Sequence, residues 1–565
     1  MNTAIRILIV GGYGGFGGRL VGLLESDARL TLLVAGRSLA AARRFCAARP
    51  KVAATLIPTF FDRSGEDNQR LARLRATLVI DASGPFQAYG SHPYRLIEQC
   101  IDCGVNYLDL ADGSDFVAGV ASFDAAARAA GVYVLSGVSS CPVLTTAVVR
   151  RLMVGIAAIR SIRGGIAPSP YAAVGLNVIR SIASYAGQRI ALKRHGRSSI
   201  GWPFTEFVRF VIAVPGRVPL ERRRFSLVDV PDLRTFALLW PQVTDVWIGA
   251  GPVPAPLHWA LTVFAWLVRM RVLPSASWLA SIMHFVTNHV RWGERRSGMF
   301  VEVRGQGADG DPIIRVWHLL AEGDDGPLIP CMAVAAVIGK VLAGISPLAG
   351  ARAALCDVDL SDYEALFSQH RIYTGVRELM RDRAAPLYAR ILGQAWGQLA
   401  PEIRQVHSVT SVSSFVGRCV VDRGRNPLAW LIATLVGFPR AGAGQNIVVT
   451  LTAEGAKERW IRTIGGKTFS SLQMPGRGRS EWLVRERFGP VCVHMALIVE
   501  GATLRYVVRR WTFLGVHLPL SFGPRTTAVE SAENGKFAFD VAISHPFVGL
   551  IVRYRGLLAA SPVLR

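Results

Sequence analysis

Gly12, Gly14 and Gly17 stand in the spacing GxGxxG within the run Gly11-Gly-Tyr-Gly-Gly-Phe-Gly-Gly18. In this spacing one glycine makes a tight turn, the second lets backbone approach a pyrophosphate, and the third lets a helix pack closely on a strand. Glycine turns are common in a chain with 56 glycines, so the context carries the reading. An almost continuous apolar run, Ile5 to Val10, precedes the loop, as a parallel strand buried on both faces requires. A helical pattern, Arg19 to Glu25, follows it, so phosphates would meet unpaired N–H groups at a helix N-terminus. The loop residues expected against a dinucleotide are Gly12, Gly14, Gly15, Phe16 and Gly17.

A second apolar run, Leu30 to Ala35, ends in Gly36-Arg37-Ser38, about where an NAD-specific domain carries an acid for the ribose 2′-hydroxyl. Here the charge is reversed. The guanidinium of Arg37 can pair with a 2′-phosphate and Ser38 can add a hydroxyl, so the expected cofactor is NADP rather than NAD. The alternative is that Arg37 is a solvated loop residue. Hydride chemistry also needs an acid or base within reach of the reacting heteroatom. Tyr89, His92, Tyr107, Asp109, Asp112 and Cys141 all fall at or just beyond strand ends, and Tyr107 and His92 are the first catalytic candidates. Asp109 and Asp112 read also as helix caps or loop braces, Tyr89 as packing beneath the nicotinamide, and Cys141 as a small buried residue. Ser83, Gly84 and Pro85, in Asp81-Ala-Ser-Gly-Pro-Phe-Gln-Ala-Tyr-Gly90, are further expected cofactor contacts.

The elements that must position these residues continue the alternation. Strand patterns at 54–61, 76–81, 105–110 and 132–137 are separated by Ala-rich helices such as 123–130, which specifies an α/β Rossmann domain with a doubly wound parallel sheet over residues 1–145. The set GGYGGFGG, AGRS, VIDASGPFQAYG, YLDLADG and GVSSCP, in that order, resembles the saccharopine dehydrogenase-like family of NAD(P)-binding proteins across most of residues 5–145. The resemblance implies a Rossmann domain followed by an α+β domain for substrate binding or dimerisation. It leaves the substrate open, since members include lysine-pathway enzymes and lipid-linked enoyl reductases.

From Ile162 short strands and Gly/Pro turns replace the alternation, so an α+β domain is expected over 146–355. Its elements are a strand at 161–166, a helix at 174–187, a strand pair at 299–304 and 313–321, and a helix at 331–342. Within it, 257–268 is too short to span a bilayer and is followed by an apolar segment at 277–286. The segment 257–286 is either a buried helix or subunit interface, or an interfacial membrane anchor with Trp and Arg at headgroup level. Residues 356–565 read as helical segments near 388–398 and 428–436, then strands at 447–454, 458–464, 482–487, 491–498, 504–511 and 537–543. That describes a β-rich antiparallel sheet or partial barrel. This part resembles an uncharacterised C-terminal domain fused to saccharopine dehydrogenase-like domains in bacteria, which implies an architecture and no chemistry.

Composition sets the outer bounds. Hydrophobic content of 51% and a mean hydropathy of +0.31 exclude a disordered chain. No apolar run is long enough for a spanning helix and no leader pattern opens the chain, so the expected location is cytoplasmic, with membrane association open. The net charge of +24 comes from Arg spread over every segment rather than a basic helix, so no nucleic-acid partner is expected. A lone CxxC at Cys100 and Cys103 is a weak signal, and no metal site is expected. The expected partners are a small or lipid-like substrate and a second copy in a homodimer. The function is read as an NADP-dependent oxidoreductase of the saccharopine dehydrogenase-like type acting on a hydrophobic or lipid-linked substrate, the alternative being a non-catalytic NADP-binding protein with a C-terminal ligand- or partner-binding domain.

Overall fold

The computed structural model describes residues 5–65, 68–172, 175–252, 254–275, 277–379 and 385–561. The chain forms two compact units, Met1–Phe210 with Arg223–Tyr373, and Val211–Arg222 with Thr374–Arg565.

The first unit opens on β1 (Ile5–Val10), α1 (Gly15–Leu24), β2 (Leu30–Gly36), α2 (Leu39–Ala47), β3 (Thr55–Phe60), β4 (Leu78–Asp81), β5 (Asn106–Asp109) and β6 (Tyr133–Ser136). They assemble in the order β3-β2-β1-β4-β5-β6, all parallel, with Ile7, Leu8 and Ile9 fully buried as the apolar run requires. A seventh parallel strand, Gly350–Ala353, is added beside β6 from more than two hundred residues downstream. The sequence places this stretch at the end of the 146–355 domain, because a four-residue Gly-Ala-Arg-Ala segment has no strand signal of its own. The register sets Val10 level with Ala35 and Asp81, and Asp81 level with Asp109. The glycine loop, Arg37, Ser83 and the end of β5 are therefore brought to one edge of the sheet.

The α+β expectation for the middle of the chain holds. A mixed sheet runs in the order Phe207–Phe210, Arg223–Leu227, Asp245–Ala250, Ala158–Ala167, Ser297–Gln306, Pro312–Ala321, in which 245–250 and 158–167 are parallel. The expected helix at 174–187 is Leu176–Tyr185, with Val174 outside the described residues. Segment 257–286 forms two helices, Ala255–Arg269 and Ala280–His289. His258, Leu261, Ala265 and Val268 are buried, while Trp259, Val263, Trp266, Ile282 and Phe285 are exposed.

The second unit is a ten-stranded antiparallel barrel. Its strands follow each other around the wall as Val491–Glu500, Val484–Phe488, Lys467–Pro475, Lys457–Ile464, Gly442–Glu454, Val412–Arg423, Gly549–Ala560, Lys536–His545, Arg525–Glu533 and Thr503–Phe513. Pairing of Val491–Glu500 with Thr503–Phe513 closes it. Four of these strands, 412–423, 467–475, 525–533 and 549–560, are absent from the sequence reading because Gly, Ser, Thr and Arg interrupt their alternation. No described helix is long and apolar enough to cross a membrane.

Candidate functional site

The glycine loop is built by close approach. Gly11 has φ +78°, and a Cβ there would sit 2.9 Å from the Ala82 carbonyl oxygen. At Gly17 a Cβ would meet the Gly11 carbonyl oxygen at 2.2 Å, so only hydrogen lets α1 start this close to the turn. Gly14 and Gly15, at the start of α1, are exposed and have no side chain to block an approaching phosphate. Phe16 is half-buried, and its carbonyl accepts the Cys331 thiol at 3.3 Å, which ties the loop to helix Ile329–Leu342.

Arg37 and Ser38 are both exposed at the end of β2. Ser38 is the N-cap of α2, its Oγ accepting the Ala41 N–H at 3.2 Å, so its hydroxyl proton stays available to an anion. Tyr13 completes this corner and escaped the sequence reading. Its hydroxyl accepts the Ser38 N–H at 2.9 Å, and Gly36 has no Cβ because one would lie 2.4 Å from that hydroxyl. The glycine loop thus braces the segment that carries Arg37 and Ser38.

Beyond β4 the Ser83 N–H and Oγ both donate to Asp81 Oδ1, at 3.0 and 2.6 Å. Asn177, on helix Leu176–Tyr185, donates from Nδ2 to the carbonyls of Ser83 (3.2 Å) and Gly84 (2.8 Å). The Ser83-Gly84 segment is therefore held by Asp81 on one side and Asn177 on the other. Behind it Arg63 Nε meets Asp81 Oδ2 at 2.7 Å in a buried pair, and its guanidinium lies 3.3 Å from the centroid of the Tyr89 ring. Arg63 is a second residue that sequence spacing gave no reason to choose.

The structure separates the two first catalytic candidates. Tyr107 has no exposed surface, its hydroxyl makes no hydrogen bond among the described residues, and burial pushes its pKa well above the ordinary phenol. It packs in the sheet core with Val79, Leu96 and Cys100. His92 is exposed in the loop after β4. Tyr89, half-buried, shares a hydrogen bond with Ser83 Oγ at 3.0 Å, and burial raises its pKa. Asp109 is a brace, accepting from Ala111, Ser136 and Gly137 through Oδ1.

Asp112 stands apart from these. It lies three residues past β5, where Gln87 Nε2 donates to Oδ1 at 3.1 Å and Ser181 Oγ to Oδ2 at 3.2 Å, and burial raises its carboxyl pKa. Two further acids come from the middle of the chain. Asp229 accepts the Ser114 hydroxyl at 2.6 Å and is raised by burial, while Asp232, bonded to Thr145 beside Cys141, is pushed up to about 7. No spacing in the sequence links residues 112, 229 and 232. A cavity of about 810 Å³ opens alongside Ser114, lined by Val117, Leu238, Val337, Ile345, Leu348 and Leu355 among others. Its cations Arg128, Arg234, Lys340 and Arg352 are each paired with a carboxylate.

Residues 7–135 match the saccharopine dehydrogenase NADP binding domain, a span from β1 to β6, and residues 399–558 match a domain of unknown function, DUF4166. The chain thus carries a dehydrogenase-like NAD(P)-binding domain and a C-terminal domain of that uncharacterised family. No curated protein matches the chain. Apo saccharopine dehydrogenase (L-Glu forming) from Saccharomyces cerevisiae is similar at 12% identity over 66% of this chain and 99% of that one, with a TM-score of 0.48. The WlbA (WbpB) dehydrogenase from Thermus thermophilus, solved with NAD and alpha-ketoglutarate, is 13% identical over 63% and 94%, with a TM-score of 0.29. Biliverdin reductase from Synechocystis, solved with biliverdin and NADP+, is 15% identical over 64% and 95%, with a TM-score of 0.28.

Proposed function

We propose that this chain is an NADP-dependent oxidoreductase acting on a substrate with a substantial apolar part. The observation that carries the proposal is the single sheet edge on which the glycine loop, the Tyr13-braced Arg37 and Ser38, the Ser83-Gly84 segment and the raised carboxyl of Asp112 all converge. Gly12, Gly14, Gly15 and Gly17 would hold the pyrophosphate and Arg37 with Ser38 the 2′-phosphate. The cofactor supplies the hydride, and the chain supplies the proton. Asp112 is suited to that, because burial disfavours its ionised form and so raises the pH at which it gives up its proton. The apolar cavity beside Ser114 supports an apolar substrate, its volume lying within the usual range of small-molecule sites.

The exposed face of helices Ala255–Arg269 and Ala280–His289 supports a lipid-linked form of that substrate. Residues 246–293 contain Arg269, Arg271 and Arg291 and no Asp or Glu, so Trp259, Trp266 and Phe285 stand in a cationic setting suited to an anionic bilayer surface.

Deuteride transfer tests the reaction. With NADPH deuterated at C4, cell extract and purified protein, label is expected in an organic product, and Arg37→Glu is expected to weaken NADPH binding about a hundredfold while changing NADH little. Retained NADPH binding with no labelled product would overturn the oxidoreductase reading, and equal losses for both nucleotides would remove the 2′-phosphate role of Arg37.

A further inference from the structure

The barrel contains a cationic cavity that the oxidoreductase reading does not use. It has a volume of about 290 Å³, and its lining includes Arg477, Arg479, Arg485, His494, His517 and Ser480, with no carboxylate among the lining residues. The strand register explains the crowding. Arg485 on Val484–Phe488 lies opposite His494 on Val491–Glu500, which lies opposite Arg510 on Thr503–Phe513, so three basic side chains run in a row across neighbouring strands. A guanidinium held in such a row without an anion beside it leaves its charge uncompensated unless a ligand neutralises it. Arg510 has Glu221 at 3.6 Å. Arg485 Nε and His494 Nε2, in contrast, are buried and make no hydrogen bond among the described residues.

His494 is set up as a donor. Its Nδ1 is 2.6 Å from Ser480 Oγ, and when that hydroxyl donates to Nδ1 the proton of the neutral ring sits on Nε2. Only 4% of its surface is exposed, and burial together with Arg485, His517 and Arg510 lowers its pKa to about 4, so the ring stays neutral at physiological pH. Guanidinium forks match the oxygens of a phosphate better than those of a halide, and the volume falls at the small end of ligand sites, too tight for a whole nucleotide.

We propose that this cavity binds a phosphoryl group, with Arg477, Arg479 and Arg485 supplying charge and His494 Nε2 a hydrogen bond from its floor. Two sources share that chemistry, a small phosphorylated metabolite and a phospholipid headgroup. The second is raised by the neighbouring hairpin, where Phe513, Leu514, Val516 and Leu518 are exposed beside Gly515 and His517 of the cavity.

The test uses the full chain. Calorimetric titration with inorganic phosphate is expected to saturate, and phosphate is expected to move the imidazole NMR signal of His494. Arg477→Glu and Arg479→Glu, both exposed and tolerable to the fold, are each expected to weaken phosphate about tenfold at an unchanged melting temperature. Arg37→Glu, outside the barrel, controls for phosphate bound at the dinucleotide loop and is expected to leave the His494 shift intact. Capture on phosphatidic acid vesicles but not phosphatidylcholine vesicles, competed by phosphate, would assign a headgroup, and phosphate binding without capture would assign a soluble ligand. The proposal fails if neither phosphate nor vesicles bind, or if binding and the His494 shift persist in the double Arg→Glu variant.

Discussion

Asp109 shows how much a single carboxyl in this domain depends on its surroundings. Oδ1 accepts three donors while Oδ2 accepts none among the described residues, and burial, opposed by those hydrogen bonds and reinforced by the charge of Asp81, raises its pKa from 3.8 to about 7. The folded state thus holds this proton more tightly than the unfolded chain does, so stability is greatest at low pH for this group and falls as pH climbs from about 4 to about 7. We expect Asp109→Asn to flatten that decline, read as a smaller difference between urea midpoints at about pH 5 and about pH 7. Asp232, also at about 7, leaves part of the slope in place. An unchanged difference would show that Asp109 ionises freely in the fold. At this scale the sequence was most legible where chemistry fixes a residue type. Gly12, Gly14 and Gly17 could be named because no other residue fits such a turn. Tyr107 could not be judged, because its strand position is visible in sequence but the face it packs on is not.

Among the elements, helices Ala255–Arg269 and Ala280–His289 show what local pattern can and cannot say. Their apolar residues were plain, but nearly every position of Ala255–Arg269 is apolar and the polar residues of Ala280–His289 follow no clean helical stripe, so the pattern did not tell the buried side from the free one. Packing made the choice, turning His258 inward to within 2.8 Å of Ser226 Oγ and leaving Trp259 and Trp266 exposed. If that face docks on an anionic bilayer, the chain should pellet with phosphatidylglycerol vesicles, and Trp259→Ser with Trp266→Ser should weaken this about tenfold or more. A dimer in light scattering that the same changes dissolve, with no pelleting, would give the face to a second copy instead.

For the whole molecule, the decisive feature is that the second unit takes in a remote piece of chain. Residues 211–222 belong to it, where Arg377, its pKa lowered by burial to about 9, donates to the Ala213 carbonyl at 2.7 Å and Val499 N–H donates to Gly216 O at 3.0 Å. A fragment beginning at Thr374 leaves the buried Arg377 without that acceptor, so we expect it to melt several degrees below the barrel in the full chain, followed by circular dichroism. A peptide of residues 211–222 should restore part of the loss, and a fragment melting at the full-chain temperature would show the insertion to be dispensable. The amino-acid sequence by itself determined the Rossmann sheet, its glycine loop and the basic corner at Arg37, because each is written in neighbouring residues whose backbone or charge requirements are local. Tertiary structure alone decided the seventh strand from 350–353, barrel closure through Val491–Glu500 and Thr503–Phe513, the approach of Asp229 to Asp112, and the row Arg485-His494-Arg510. Each joins residues far apart in the chain or aligned only by strand register, which no local propensity encodes.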